Sequence, residues 1–173
     1  MKRIILTILL LLGTSFLHAE GDAMKMESFT LINTEGQPIH VRSTAKGLDF
    51  EEFRGKAVFL VLFGHMCPPC NAEIPEFIAL KNQYKDKLEI VALEAQRYDM
   101  DKLKAFKAKK GINYNLVPGK ESDEFIGHIA GRAGWNGAIP FLIALDKYGE
   151  VQVIQQGFIP RKTLEGLVET LNQ

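Results

Sequence analysis

The chain has 173 residues, 46% of them hydrophobic and 24% charged, with 21 basic and 21 acidic side chains. That balance suits one globular domain and excludes collagen-like, disordered and disulfide-scaffold chains. A formal charge of zero without a basic stripe also excludes the footprint of a nucleic-acid binder, so no nucleic-acid partner is expected.

The chain opens as a leader. Lys2 and Arg3 form a positive start, residues 4–12 are apolar, and residues 15–19 offer small side chains with a cut after Ala19. Leu17 occupies the third position before that cut, where a small residue is usual. The apolar stretch is shorter than the roughly 20 residues of a membrane span; an uncleaved anchor is the alternative reading. The expectation is a signal peptide over 1–19, a mature domain over 20–173 and a periplasmic or otherwise extracytoplasmic location.

Residues 28–33 and 38–42 flank the turn Thr34-Glu35-Gly36-Gln37, which predicts a hairpin. Residues 43–56 are mixed and end on the turn Arg54-Gly55-Lys56. Residues 57–63 (AVFLVLF) are an unbroken apolar run rich in β-formers, which predicts a central strand buried on both faces. Cys67-Pro68-Pro69-Cys70 follows, and then a helical pattern with Ile74, Phe77, Ile78 and Tyr84 on one side. Residues 88–93 read as the next strand. Strand, helix and strand make a βαβ unit with parallel pairing and a right-handed crossover.

Asp99 as N-cap, Asp101 in the first turn and Gly111 past the end predict a helix over 100–110. Its lysines, at 102, 104, 107, 109 and 110, read as a solvated face. Residues 113–117 read as a short strand. Ser122, Asp123 and Glu124 open another helix with Phe125, Ile126 and Ile129 facing in, and 131–137 reads as a glycine-rich loop around Trp135. Pro140 leads into a strand over 141–146, Lys147-Tyr148-Gly149 turns the chain, and 151–154 returns antiparallel. Leu164, Leu167, Val168 and Leu171 follow the i, i+3, i+4, i+7 spacing of a closing amphipathic helix.

The chemistry concentrates on the only two cysteines, three residues apart. A bridge over so short a span constrains the unfolded chain little, so a structural role explains the pair poorly and a redox role explains it well. Exchange needs a thiolate attacking a disulfide sulfur. Cys67 lies where the strand has ended and the helix begins, and a helix N-terminus lowers a thiol's pKa. Cys70 lies nearly one turn further in, on the same face. Pro68 and Pro69 fill the first helical positions, whose N–H groups have no intrahelical acceptor in any case. They also remove two amides from the neighbourhood of Cys67. The thiolate is therefore stabilised only moderately, which argues against a strongly oxidising disulfide.

Two metal readings compete. A structural zinc needs four ligands, and the mature chain adds only His40, His65 and His128, none in paired spacing. A soft Cu(I) site from Cys67, Cys70 and Met66 or His65 is chemically reasonable, and it makes a copper carrier the alternative function. The main expectation is no metal and no cofactor beyond the redox-active pair itself.

The run Phe63-Gly64-His65-Met66-Cys67-Pro68-Pro69-Cys70-Asn71-Ala72-Glu73-Ile74-Pro75 resembles the thioredoxin superfamily, in particular its exported TlpA/ResA/CcmG-like branch of thiol–disulfide oxidoreductases. The resemblance covers roughly residues 27–172. It extends to the hairpin ahead of Gly55-Lys56, to an extra segment over 95–131 between the two halves of the sheet, and to Ile139-Pro140 followed by a strand and a glycine-containing turn. It implies an α/β fold: a thioredoxin-like central mixed β-sheet flanked by helices, with an N-terminal β-hairpin and that insert. It implies Cys67 as nucleophile, Cys70 as resolving thiol, and a partner groove shaped by Met66, Pro68, Ile139 and a cis Pro140. Pro75 is expected trans, kinking the helix. Glu73 matches an acid this branch keeps near the site, where thioredoxins proper use a strand aspartate; here that strand position is Val61. Glu73 is thus the candidate proton acceptor for Cys70, or else a solvated first-turn acid favouring the helix dipole. Met66 and Phe63 depart from the tryptophans common in the family. The resemblance further implies a monomer that reduces disulfides of exported proteins, such as apocytochrome c or copper-site proteins, with electrons from a membrane thiol donor. A disulfide oxidase is the remaining alternative.

Overall fold

The structure, a computed structural model, describes residues 26–173. The leader predicted over 1–19, with its cut at Ala19, lies outside the described residues. Five strands form one mixed sheet in the order β6-β5-β4-β7-β8, where β4 is Ala57–Phe63, β5 Leu88–Glu94, β6 Asn115–Pro118, β7 Phe141–Leu145 and β8 Val151–Gln156. β4, β5 and β6 run parallel; β7 runs antiparallel to both β4 and β8. Every residue of β4 and β5 is buried, Glu89 and Glu94 of β5 included; the unbroken apolar run of β4 is that of a strand covered on both faces.

The period of two along β4 sorts its side chains between two cores. Ala57, Phe59, Val61 and Phe63 face helices α1 (Pro68–Gln83), α2 (Met100–Lys110) and α4 (Arg161–Leu171), meeting Ile74, Phe77, Leu103, Leu164 and Val168. Val58, Leu60 and Leu62 face the other side, meeting Phe125 and Ile129 of α3 (Asp123–Ala133) and Leu31, Ile39 and Val41 of the N-terminal strands. Those strands, β1 (Ser28–Ile32), β2 (Pro38–Ser43) and β3 (Leu48–Phe50), form a separate antiparallel sheet.

Two expectations need correction. The mixed stretch 43–56 contains β3, whose Leu48 and Phe50 pack inward while Asp49 lies between them; three residues are too few to show a period. The glycine-rich loop begins later than residue 131, because α3 continues to Ala133. Gly131 sits on the exposed face of that helix, where its helix penalty is small against the packing of Phe125 and Ile129. The helix stops at Gly134, whose φ of 66° is the left-handed cap.

Candidate active site

β4 ends at Phe63 at the C-terminal edge of the parallel strands, and a short loop carries the chain into α1. Cys67 is the N-cap of α1, and Pro68 and Pro69 hold its first positions, both exposed. Cys67 and Cys70 form a disulfide with their Cα atoms 5.2 Å apart. The Cys70 amide, the one the prolines leave, donates to Cys67 Sγ at 3.2 Å. This bond and the positive end of the helix favour negative charge at that sulfur. Exposure is 7% for Cys67 and 2% for Cys70, so Cys67 is the outer residue of the pair.

The antiparallel placement of β7 brings its N-terminal approach to the same rim. Cys67 Sγ lies 3.8 Å from the carbonyl oxygen of Ile139, and the Ile139–Pro140 bond is cis. Pro140 is buried, and its carbonyl accepts from Gly157 N at 2.8 Å, tying the approach to β7 to the end of β8. Met66 stands 72% exposed next to Cys67, and Phe158 is also half-exposed beyond Gly157. Of the predicted groove residues, Met66 and Pro68 face solvent, Ile139 meets the sulfur, and Pro140 sits behind Ile139. The peptide bond at Pro75 is trans, and α1 continues through it.

Glu73 is 2% exposed, so the solvated first-turn reading does not hold. The i+3 step from Cys70 points it into the core with Ile74 and Phe77. Burial pushes its carboxyl up to about 7, and a hydrogen bond from Ile159 N to Oε1 at 2.7 Å pulls the other way. The buried Tyr114 phenol is raised as well, by burial and then by the Glu73 charge. Val61 is buried in the same core as both cysteines, so that strand position carries no acid, and Glu73 is the buried acid of α1.

Sequence reasoning missed the residues that hold the loop before Cys67. Glu94, the last residue of β5, is fully buried; its Oε1 lies 2.7 Å from His65 Nδ1, and its Oε2 accepts from Tyr98 N at 2.7 Å. Met66 N donates to Gln96 Oε1 at 2.8 Å, and Asn71 Nδ2 donates to the carbonyls of His65 and Cys67 at 2.9 and 3.0 Å. The one available signal was an acid closing β5, a strand that is apolar apart from it and Glu89. His65 Nδ1 is thereby engaged, and the described residues contain no group of three or more His, Cys, Asp or Glu able to hold a metal ion.

The chain and its fold resemble known proteins. The sequence profile of the AhpC/TSA family matches residues 23–154. The thiol-disulfide oxidoreductase ResA of Bacillus anthracis is 31% identical over 127 residues, covering 73% of this chain and 69% of that one. ResA of Halalkalibacterium halodurans is 27% identical over 145 residues, covering 83% and 73% respectively. Among solved structures, StoA from Bacillus subtilis superposes with a TM-score of 0.61 at 17% identity, covering 82% of this chain and 96% of that one. A putative thiol:disulfide interchange protein DsbE from Chlorobium tepidum gives 0.63 at 19% identity, with 85% and 94% covered. These structures share the fold; the family match and the ResA relatives carry the chemistry. The chain belongs to the AhpC/TSA family, as a thioredoxin-fold thiol–disulfide oxidoreductase.

Proposed function

We propose that this protein is exported and reduces disulfides of selected exported proteins, with Cys67 as nucleophile, Cys70 as resolving thiol and Glu73 as proton acceptor. The observation that carries the reading is Cys67 Sγ at the N-cap of α1, the outer sulfur of the pair, with the Cys70 amide behind it and the Ile139 carbonyl beside it. In the reduced protein the Cys67 thiolate attacks one sulfur of a partner disulfide. A mixed disulfide forms, and the partner's other sulfur leaves as a thiolate that takes up a proton. Cys70 then gives its proton to the Glu73 carboxylate and attacks Cys67 Sγ. That closes the Cys67–Cys70 disulfide and releases the second partner thiol. Two electrons pass from the dithiol to the partner, and a membrane thiol donor restores them.

Selection falls to the groove. Met66 and Phe158 offer apolar contact, and the Ile139 backbone lies beside the sulfur that the partner must approach. Cytochrome c maturation or copper-site assembly would supply partners of this kind. The direction is tested by equilibrating the Cys67–Cys70 couple with glutathione. A potential near thioredoxin's, about −270 mV, is expected of a reductase; one near about −120 mV would make the protein an oxidant.

A further inference from the structure

We propose that His65 and Glu94 are positioning residues that hold the Cys67 loop in its attacking geometry. The inference rests on the exchange reading above and assigns it a second set of residues, one in the loop before Cys67 and one at the end of β5.

Glu94 is 0% exposed, and a carboxylate so placed persists only with partners that return what water gave it. It has three. His65 Nδ1 lies 2.7 Å from Oε1, His65 N donates to the same oxygen at 3.4 Å, and Tyr98 N donates to Oε2 at 2.7 Å. The His65 ring is also stacked on Tyr98, with centroids 3.4 Å apart and planes 17° from parallel. A flat ring held on its edge by a carboxylate and on its face by a phenol has no rotamer left to explore.

The consequence reaches Cys67 one peptide at a time. The His65 carbonyl accepts from Asn71, Met66 N donates to Gln96, and the Cys67 carbonyl accepts from Asn71, while Cys67 N donates to Gly64 O at 3.2 Å. Each backbone unit from 65 to 67 is thus fixed to β5, to its following turn or to α1. The turn after β5 is itself shaped for this. Arg97 has φ 67°, which an L side chain rarely adopts, and it is the only residue besides glycine with positive φ among the described residues. That reversal presents Gln96 Oε1 and Tyr98 N, from either side of Arg97, to the loop and to Glu94. Strained backbone of this kind persists where the surroundings over-determine it, and here the surroundings are the cysteine loop. Displacing an attacking atom by about 1 Å can cost on the order of a hundredfold in rate, so the grip on Cys67 bears directly on exchange.

The test uses the full mature chain, reduced, with the aromatic disulfide of thionitrobenzoate as probe. His65→Leu removes the ring's donor, and His65→Asn returns an amide donor close to the position of Nδ1. Attack by His65→Leu is expected to be about tenfold slower than wild type, with the glutathione equilibrium of the couple also displaced, and His65→Asn is expected to recover most of both. Gln96→Ala, which releases only the Met66 amide, is expected to fold normally and to be slowed by a smaller factor; it decides the matter if His65→Leu does not fold. A folded His65→Leu with wild-type rate and equilibrium, a His65→Asn no better than His65→Leu, or an unslowed Gln96→Ala would each overturn the proposal. If wild-type protein fails to attack the probe, the exchange reading itself falls, and this one with it.

Discussion

The backbone amide of Ile159 donates to Glu73 Oε1 at 2.7 Å, joining the first acid after Cys70 to a segment 86 residues further along the chain. The bond fixes the carboxylate in the core, where burial holds it up to about 7. Cys70, buried at 2% exposure, meets the same loss of water, which disfavours its thiolate and makes a nearby proton acceptor valuable. Glu73→Gln is therefore expected to slow resolution of a preformed mixed disulfide about tenfold or more. Stopped-flow traces between pH 6 and 9 check this: the wild type should gain rate as pH rises through about 7, and the variant should lack that rise. Equal rates in both proteins would leave water as the acceptor.

The same carboxyl predicts a pH-dependent stability. Its folded value, about 7, lies above the ordinary 4.5, so between these values the folded protein binds more protons than the unfolded one, and stability falls as pH rises. The cost is absent below about pH 4.5 and complete above about pH 7, amounting to up to about 3 kcal/mol. Glu73→Gln keeps an oxygen for Ile159 N and carries no charge. Denaturant melts should show it more stable than wild type at pH 8 and equal to it near pH 4.5. A variant weaker at pH 8 would show that the charge is welcome where it sits.

The two sulfurs should differ in what they capture. Cys70→Ser leaves Cys67 able to attack and unable to be released, so non-reducing gels of cells carrying it should show mixed disulfides with partners. Cys67→Ser leaves only the inner thiol and should show few or none. Equal capture by the two variants would refute the assignment of roles.

Gly64 lies where three elements meet. A Cβ there would stand 2.5 Å from Gln96 Cδ and 2.6 Å from Ile139 Cδ1. Both neighbours are side-chain ends that can shift, so Gly64→Ala should fold with a loss of about 1–3 kcal/mol from overpacking. The shift displaces the Met66 tether on one side and the groove wall on the other. Exchange with a protein disulfide should therefore fall further than exchange with a small one; identical losses for both would argue against a shared effect on the groove.

The charged start, the apolar run and Ala19 predict that protein purified from its native compartment begins near Glu20. N-terminal sequencing decides this, and an intact Met1 on a membrane-bound form would show an anchor instead.

Much of the sheet was readable because its strands carry periods or unbroken apolar runs. β4 showed itself as a continuous hydrophobic stretch, β5 as a largely apolar one, and α2 and α4 showed caps or spacing. The cysteine pair was readable because it is local: two residues on adjacent turns of one helix. β3 was not, because Leu48 and Phe50 acquire their inward direction only by pairing with β2. Nor was the clamp before Cys67, since His65 and Glu94 are 29 residues apart and meet only when β4 and β5 lie side by side. The depth of Glu73 was hidden for a like reason: a carboxylate in the first turns of a helix looks solvated until α4 and the segment before it cover that face.

β4 is bonded to β5 in parallel on one side and to β7 in antiparallel on the other. The thiol pair needs only a span of three residues to be complete, whereas the Ile139 carbonyl that faces Cys67 arrives from 72 residues away. Contacts over long separations form late, because the loop between them must be closed first. By that principle the pair can close before the Ile139 wall is in place. A chain that has built β4 and α1 but not yet docked β7 carries competent sulfurs with no wall beside them, open to whatever disulfide or thiol diffuses past. Only the last third of the sequence brings the wall that would, on the reading proposed above, make that dithiol selective.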